Sequence, residues 1–341
     1  MRTAQYLGDH RVAAVEAEPA APEAGEVQIR VAYTGLCGTD LHIVHGDMDG
    51  RVRRPLAFGH EMSGIVAAVG AGVTAVQPGQ HVTVMPLSWD GTCPACRAGH
   101  EHICQNLDFV GIDSPGSLQE LWTVPERIVI PVPESAPLRQ MALVEPVAVA
   151  VHDVRRSELR GGDRVLVIGG GPIGLLIATV ARHRGAEVVV SEVDASRRGQ
   201  AAELGFDVID PAGEDPVAAV ERWTEGAGAD VVFEVSGAAA ALRSATSFAK
   251  VRGTLVIVAI HPVPREIDVQ RVFWRELRLL GARVYERADF EEAIGLVAAG
   301  VIPAERLITD VVPLEETQEA FARLESGQAM KVLVDVAGAA L

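Results

Sequence analysis

Val165-Leu-Val-Ile-Gly-Gly-Gly-Pro-Ile-Gly174 is the stretch on which the fold turns. Its first four residues are apolar throughout, as a parallel strand buried on both faces requires. Gly169-x-Gly171-x-x-Gly174 follows directly, and Pro172 then opens a helical run that Gly185 closes. Glycines alone mark any turn. A strand before them, a helix after them and an acid, Glu192, 23 positions beyond Gly169 make a dinucleotide fingerprint. The backbone must approach a pyrophosphate closely, and that group rests on the helix N-terminus, where free N–H groups and the helix dipole favour anions. Gly169, Gly171, Pro172, Ile173 and Gly174 are therefore the candidate cofactor residues. Glu192 suits an unmodified adenine-ribose diol and repels a 2′-phosphate, so NAD is expected rather than NADP. Arg197 and its neighbour Arg198 stand near enough in sequence to reach the same group.

Outward from this stretch the pattern repeats. Strand-like runs at Glu187–Val190, Phe206–Ile209, Asp230–Val235 and Gly253–Val258 alternate with helical runs near Ala195–Leu204, Val217–Thr224 and Ala239–Lys250, and Leu277–Val284 supplies a sixth strand. Repeated βα units of this length give an α/β fold with a doubly wound parallel sheet. Residues 1–148 read differently, with short β runs such as Val27–Val31 and His81–Val84 set between glycines and prolines, as in a small irregular β barrel. The expected division is 1–148, a mostly β domain with an inserted lobe at about 90–104, then 149–284, the dinucleotide domain, and a tail, 285–341. The tail holds helical runs at Phe290–Ala299 and Leu314–Leu324 and a strand at Lys331–Val336.

Composition excludes other classes. The 341 residues are 48% hydrophobic and 22% charged, as in folded soluble domains. A net charge of −16 argues against a nucleic-acid partner, which needs a cationic footprint. No apolar run is long enough to span a membrane, and the N-terminal residues carry no signal-peptide pattern, so a cytoplasmic location is expected. The four cysteines at 37, 93, 96 and 104 are expected to serve metal rather than disulfides in a reducing compartment.

Two donor groups stand out. Cys37, His60 and Glu61 offer a thiolate, an imidazole and a carboxylate, the donor types of a catalytic zinc with one open position. Glu145 interrupts the apolar run Met141–Val151, where a carboxylate is costly unless it is paired, protonated or metal-bound. Separately, Cys93-x-x-Cys96 with Cys104 eight positions on points to a structural zinc lobe. Asp90 supplies a fourth donor, and three thiolates with one carboxylate carry the charge of four thiolates. His100 or His102 as a substitute donor, or an empty lobe, are the alternatives.

Gly59-His-Glu-Met-Ser-Gly64, Gly70 and Val73, continued by Pro78-Gly-Gln-His-Val82, resemble the zinc signature of the medium-chain dehydrogenase/reductase superfamily, with Gln80 where Asp is usual. The likeness runs through Glu145–His152 and Phe233–Gly237 and is greatest to the alcohol and polyol dehydrogenase branch, in particular butanediol, sorbitol and threonine dehydrogenases. It implies a GroES-like, mostly β catalytic domain beside the Rossmann sheet. It also implies zinc-dependent interconversion of a small secondary alcohol, vicinal diol or polyol and its ketone, with NAD as hydride acceptor. By this resemblance Cys37 and His60 hold the catalytic zinc, with Glu61 or Glu145 as the exchanging third ligand. Thr39 bonds the substrate hydroxyl, His42 ends a proton relay, Asp40 orients His60, and Ile173 packs behind the nicotinamide. In the lobe, Asp90 stands where the family's first cysteine belongs. Sorbitol-type enzymes carry an Arg just before the position of Tyr285. Val284 occupies that place here, with Arg283 one residue earlier, which favours small diols over sugar alcohols. Threonine 3-dehydrogenase-like and sugar-alcohol activities are the alternatives, and a recruited non-enzymatic role is the third. A redundant protein would lose Thr39, His42 or a zinc donor first, and all are present. Relatives of this kind form homodimers or homotetramers.

Overall fold

The run at Val165 is a central strand of a six-stranded, wholly parallel sheet in the computed structural model, which describes residues 1–327 and 329–338. Its strands are β1 (Arg164–Ile168), β2 (Glu187–Ser191), β3 (Asp207–Ile209), β4 (Ala229–Glu234), β5 (Ala249–Ile257) and β6 (Arg278–Gly281), in the order β3-β2-β1-β4-β5-β6. Strand order reverses between β1 and β4, and a crevice opens outside the carboxyl ends there. Leu166, Val232 and Leu255 are fully buried between the sheet and its helices. Truncating Leu166 or Leu255 to Ala should cost about 2–5 kcal/mol. This unit runs from Val147 to Tyr285.

Two local expectations need correction. Lys250 belongs to β5 and not to the preceding helix, which ends at Phe248. No glycine separates the two elements, so the boundary left no mark in the sequence. The sixth strand stops at Gly281, and Val284 takes φ +49°, a left-handed conformation unfavourable for a β-branched residue.

The other unit joins Met1–Pro146 to the chain from Glu286 onward. Its main sheet is mostly antiparallel and has seven strands. Glu26–Gly35 lies at its centre, paired with Glu61–Val69 on one side and Lys331–Asp335 on the other. The tail thus supplies a strand to the N-terminal sheet, with Leu333 and Glu61 both registered against Gly35. The expected helix at Leu314–Leu324 is a short 3-10 turn, Leu314–Glu316, followed by a helix, Thr317–Glu325. Chain division falls after Pro146 and Tyr285, one or two residues from the expected 148 and 284, because the helix Val144–Ser157 runs through the first boundary unbroken.

Candidate active site

Cys37 caps the N-terminus of a short helix, Gly38–Val44, that also carries Thr39, Asp40 and His42. The Asp40 carboxylate accepts the backbone N–H of Cys37 at 2.9 Å, and this closes the helix start and fixes the cysteine. Its other oxygen lies 3.5 Å from Nδ1 of His60. Both groups are buried, so the acid orients the ring and leaves the second nitrogen as a ligand. Burial pushes the His60 pKa down, but the charge and hydrogen bonding of Asp40 and of Cys37 together more than offset it, and the net shift is well upward.

Donor atoms of Cys37, His60 and Glu61 lie within 4.8 Å of one another. Glu61 opens its strand directly opposite Gly35. A Cβ at position 35 would stand 2.3 Å from its carboxylate, so only glycine leaves room for that acid. Glu145, in the first turn of the helix Val144–Ser157, is buried but stands outside this set of three. Thr39 is half-buried. His42 is exposed, with Nδ1 at 2.9 Å from Asp47. His45 pairs with Glu325 instead.

One residue of this cluster went unmarked in the sequence pattern. Nζ of Lys331 donates to both oxygens of Glu61, at 2.8 and 2.7 Å, and to the carbonyl of Leu36 at 3.1 Å. The lysine is 4% exposed and its partner 1%. Burial lowers the Lys331 pKa, the charges of Glu61, Cys37 and Glu145 raise it, and the net shift is upward. Glu61 therefore already has one cation before any metal binds. A signal existed: Lys331 and Lys250 are the only lysines in a chain whose other basic side chains, histidines apart, are arginines.

In the lobe, Asp90, Cys93, Cys96 and Cys104 also bring their donor atoms within 4.8 Å. The sulfur of Cys93 is 3.5 Å from that of Cys96 and 3.8 Å from that of Cys104. Backbone N–H groups of Cys96 and Gln105 point at the Cys93 sulfur, each at 3.4 Å, and lower its pKa to about 7. Burial pushes Cys96 up to about 12. Asp90 accepts from Asn106, Cys93 and Thr92, which hold its carboxyl below the usual range. A preformed knot of three sulfurs and one carboxylate, with N–H groups aimed at sulfur, fits a zinc ion. His100 and His102 are not members of this donor set.

At the carboxyl ends of β1–β4 lies a cavity of about 340 Å³, lined by Gly169, Glu192, Val193, Pro211, Ser236 and Ala240 among others. Gly171 caps the helix Pro172–His183, with Pro172 and Ile173 in its first turn. A Cβ on Gly174 would come 1.9 Å from the carbonyl of Gly169, so helix and strand pack this tightly only with glycine there. Glu192 is buried, and both of its carboxylate oxygens are engaged by the backbone. One carboxylate oxygen accepts the N–H of Gly170 at 2.7 Å, and the other accepts that of Asp194 at 2.8 Å. Arg198 is committed to the carbonyls of Glu192 and Val193 and to Asp210. The Arg197 guanidinium comes 3.9 Å from where a side chain at Gly171 would begin.

Residues 23–134 match the alcohol dehydrogenase GroES-like domain, and residues 172–299 match the zinc-binding dehydrogenase domain. A 2-dehydro-3-deoxy-L-galactonate 5-dehydrogenase from Pseudoalteromonas atlantica is 51% identical over 98% of both chains. The chain belongs to the zinc-dependent medium-chain dehydrogenases. Among solved members of this family, 2R,3R-butanediol dehydrogenase from Bacillus subtilis superposes with a TM-score of 0.90 at 31% identity, covering 98% of this chain and 99% of that one. A protein taken to be a zinc-binding dehydrogenase from Sinorhizobium meliloti 1021, solved with NADP, gives 0.92 at 31% identity over 98% of each chain. As in that family, a GroES-like domain accompanies a Rossmann sheet, and alcohol–ketone oxidoreduction is the family chemistry. No helix among the described residues is long and apolar enough to cross a membrane.

Proposed function

We propose that this dehydrogenase oxidises a secondary hydroxyl of a short polyhydroxy acid of the 2-oxo-3-deoxy class, with NAD as acceptor. The 51% identity with the galactonate enzyme, running over 98% of both chains, carries the choice of substrate class. Cys37, His60 and Glu61 would hold the catalytic zinc, with Glu145 as the exchanging carboxylate, and Asp90, Cys93, Cys96 and Cys104 a structural one. The donor types and their preformed clustering support both assignments. A zinc ion bound at the first site supplies polarisation of the substrate hydroxyl oxygen. Thr39 would accept the hydroxyl proton while passing its own along a relay that ends at His42, exposed beside Asp47, which would release a proton to water. Asp40 keeps the His60 ring in its ligand orientation. Lys331 holds Glu61 and thereby sets how much negative charge the first site presents.

NAD is favoured because Glu192 places a buried carboxylate beside the adenosine end of the cavity, where a 2′-phosphate would meet like charge. Its grip on Gly170 also shapes the phosphate loop. Arg197 remains the one side chain of the pair with Arg198 able to draw a phosphate. The chain assembles as a homodimer or homotetramer. Phe273 and Trp274 stand 72% and 73% exposed on the helix Val269–Arg275, which leads into β6, an edge strand of its sheet. Light scattering on purified protein should give a mass of two or four chains, and a monomer at micromolar concentration would refute this. The activity itself is tested by following NAD reduction with 2-dehydro-3-deoxy-L-galactonate, 2,3-butanediol, L-threonine and xylitol. The acid should give the highest kcat/KM.

A further inference from the structure

Three sulfurs and one carboxylate make up the donor set of the lobe, so its count of thiols is odd. Cys93 is the hub, with its sulfur 3.5 Å from that of Cys96 and 3.8 Å from that of Cys104. The three residues form a small core of their own with Trp89, Ala95 and Leu107. They keep 7, 7 and 4% of their surface exposed. On one side their cover is thin. Gln105 and Asn106 are both exposed, and their backbone N–H groups point directly at the sulfurs of Cys93 and Cys104, at 3.4 and 3.3 Å. A molecule the size of water has only that layer to cross.

Asp90 is the most exposed of the four donors. Its Oδ1 accepts the N–H groups of Thr92 and Cys93 at 2.8 and 2.9 Å, and its Oδ2 accepts the Asn106 amide at 2.6 Å. The carboxylate is thus a hard donor already shared with three N–H groups, and the soft sulfurs carry most of the hold on a zinc ion. Joining two of those sulfurs would leave one thiolate and this carboxylate, half the protein donors a structural zinc takes. The joining itself needs little movement. Sulfurs 3.5 Å apart must close by about 1.5 Å to reach a bond of about 2.05 Å.

We propose that the lobe is an oxidation site, at which a hydroperoxide joins Cys93 to Cys96 or Cys104, expels the lobe zinc and leaves one thiol unpaired. One thiolate attacks the peroxide, the O–O bond breaks, and the sulfur becomes a sulfenic acid as water or an alcohol leaves. A second thiolate attacks that sulfur and displaces hydroxide. Two thiolates give up two electrons, the peroxide takes them, and two protons come from solvent. Zinc keeps its charge and departs as the divalent ion. The metal release rests on the zinc reading of the lobe, whereas the sulfur bond rests on the sulfurs alone.

The test treats the zinc-loaded full chain with hydrogen peroxide. Zinc is followed with a chromogenic chelator, thiols by titration in denaturant, and the sulfur bond by peptide mass. Cys37→Ser is the background, so that only the three lobe cysteines report. Thiols should fall from three to one per chain, with one zinc released in step, and every disulfide found should contain Cys93. A thiol reductant with added zinc should restore both. Asp90→Cys in the same background should lose all four of its thiols and release zinc at least about threefold more slowly. Peptide mass on wild-type protein decides the pairing whatever the stability of the variants. Lobe thiols that stay reduced under peroxide that oxidises free cysteine, or a disulfide joining Cys96 to Cys104, overturns the proposal. Loss of two thiols with no zinc set free supports the sulfur bond and overturns the zinc reading of the lobe.

Discussion

Lys331→Met should be among the most damaging single changes in the unit that contains the Cys37, His60 and Glu61 donor set. The substitution keeps the volume and the apolar stem but removes the ammonium from between Glu61 and the Leu36 carbonyl. Glu61, 1% exposed, is left as a buried carboxylate without its cation. Breaking one side of a buried pair costs about 3–5 kcal/mol. For a unit of roughly 200 residues that is a fall in Tm of about 6–20 °C. The sign with pH follows from the raised Lys331 pKa. A raised folded-state value gives stabilisation that is fully present below the ordinary lysine pKa and lost only as pH rises through the raised one. The gap between wild type and variant should therefore stay flat across about pH 6 to 9 and close in strong alkali. Calorimetry of chelator-treated protein measures the penalty, and the same scan with zinc restored should show a smaller one, because the metal then neutralises Glu61. A cycle with Glu61→Gln should give a coupling of about 2 kcal/mol or more. A penalty under about 1 kcal/mol, or one undiminished in the Glu61→Gln background, would refute the reasoning.

Cys37→Ser should abolish turnover while leaving the fold and NADH binding in place, as circular dichroism and a binding titration will show. Glu192→Ala should narrow or reverse the preference for NAD, chiefly through Arg197, since Arg198 is already tied to Asp210. It should also lower affinity for both cofactors by loosening the Gly170 loop, and a wild-type kcat/KM higher with NADP would contradict the role given to Glu192. Asp90→Cys should slow the loss of the lobe zinc to a chelator, because thiolate is the softer donor, and leave substrate preference unchanged. Metal analysis showing one zinc per fully active chain would exclude the lobe site.

The dinucleotide half was legible because its signals are local. A fully apolar strand, a glycine loop and a helix lie within about twenty residues of one another, and each βα unit repeats the rhythm. The two donor groups were legible for a different reason: thiol, imidazole and carboxylate types are rare enough that their spacing carries meaning. Lys331 was not. Its bond to Glu61 spans 270 positions and depends on a tail strand pairing beside Gly35, which no periodicity reports. The second duty of Glu192 was hidden as well, because a side chain that grips a backbone N–H across 22 positions looks in sequence like any strand-end acid. Val284 gave the sequence its lean toward small diols, and the proposal of a polyhydroxy acid rests instead on the relative at 51% identity.

The most direct test of the account is kcat/KM for 2-dehydro-3-deoxy-L-galactonate with NAD, measured on zinc-loaded and on chelator-treated protein. The account predicts brisk NADH formation with zinc, loss of at least about two orders of magnitude without it, and recovery on adding zinc back. Turnover that survives complete removal of zinc, or zinc-loaded protein inert toward this acid and toward every other secondary alcohol offered, would contradict it.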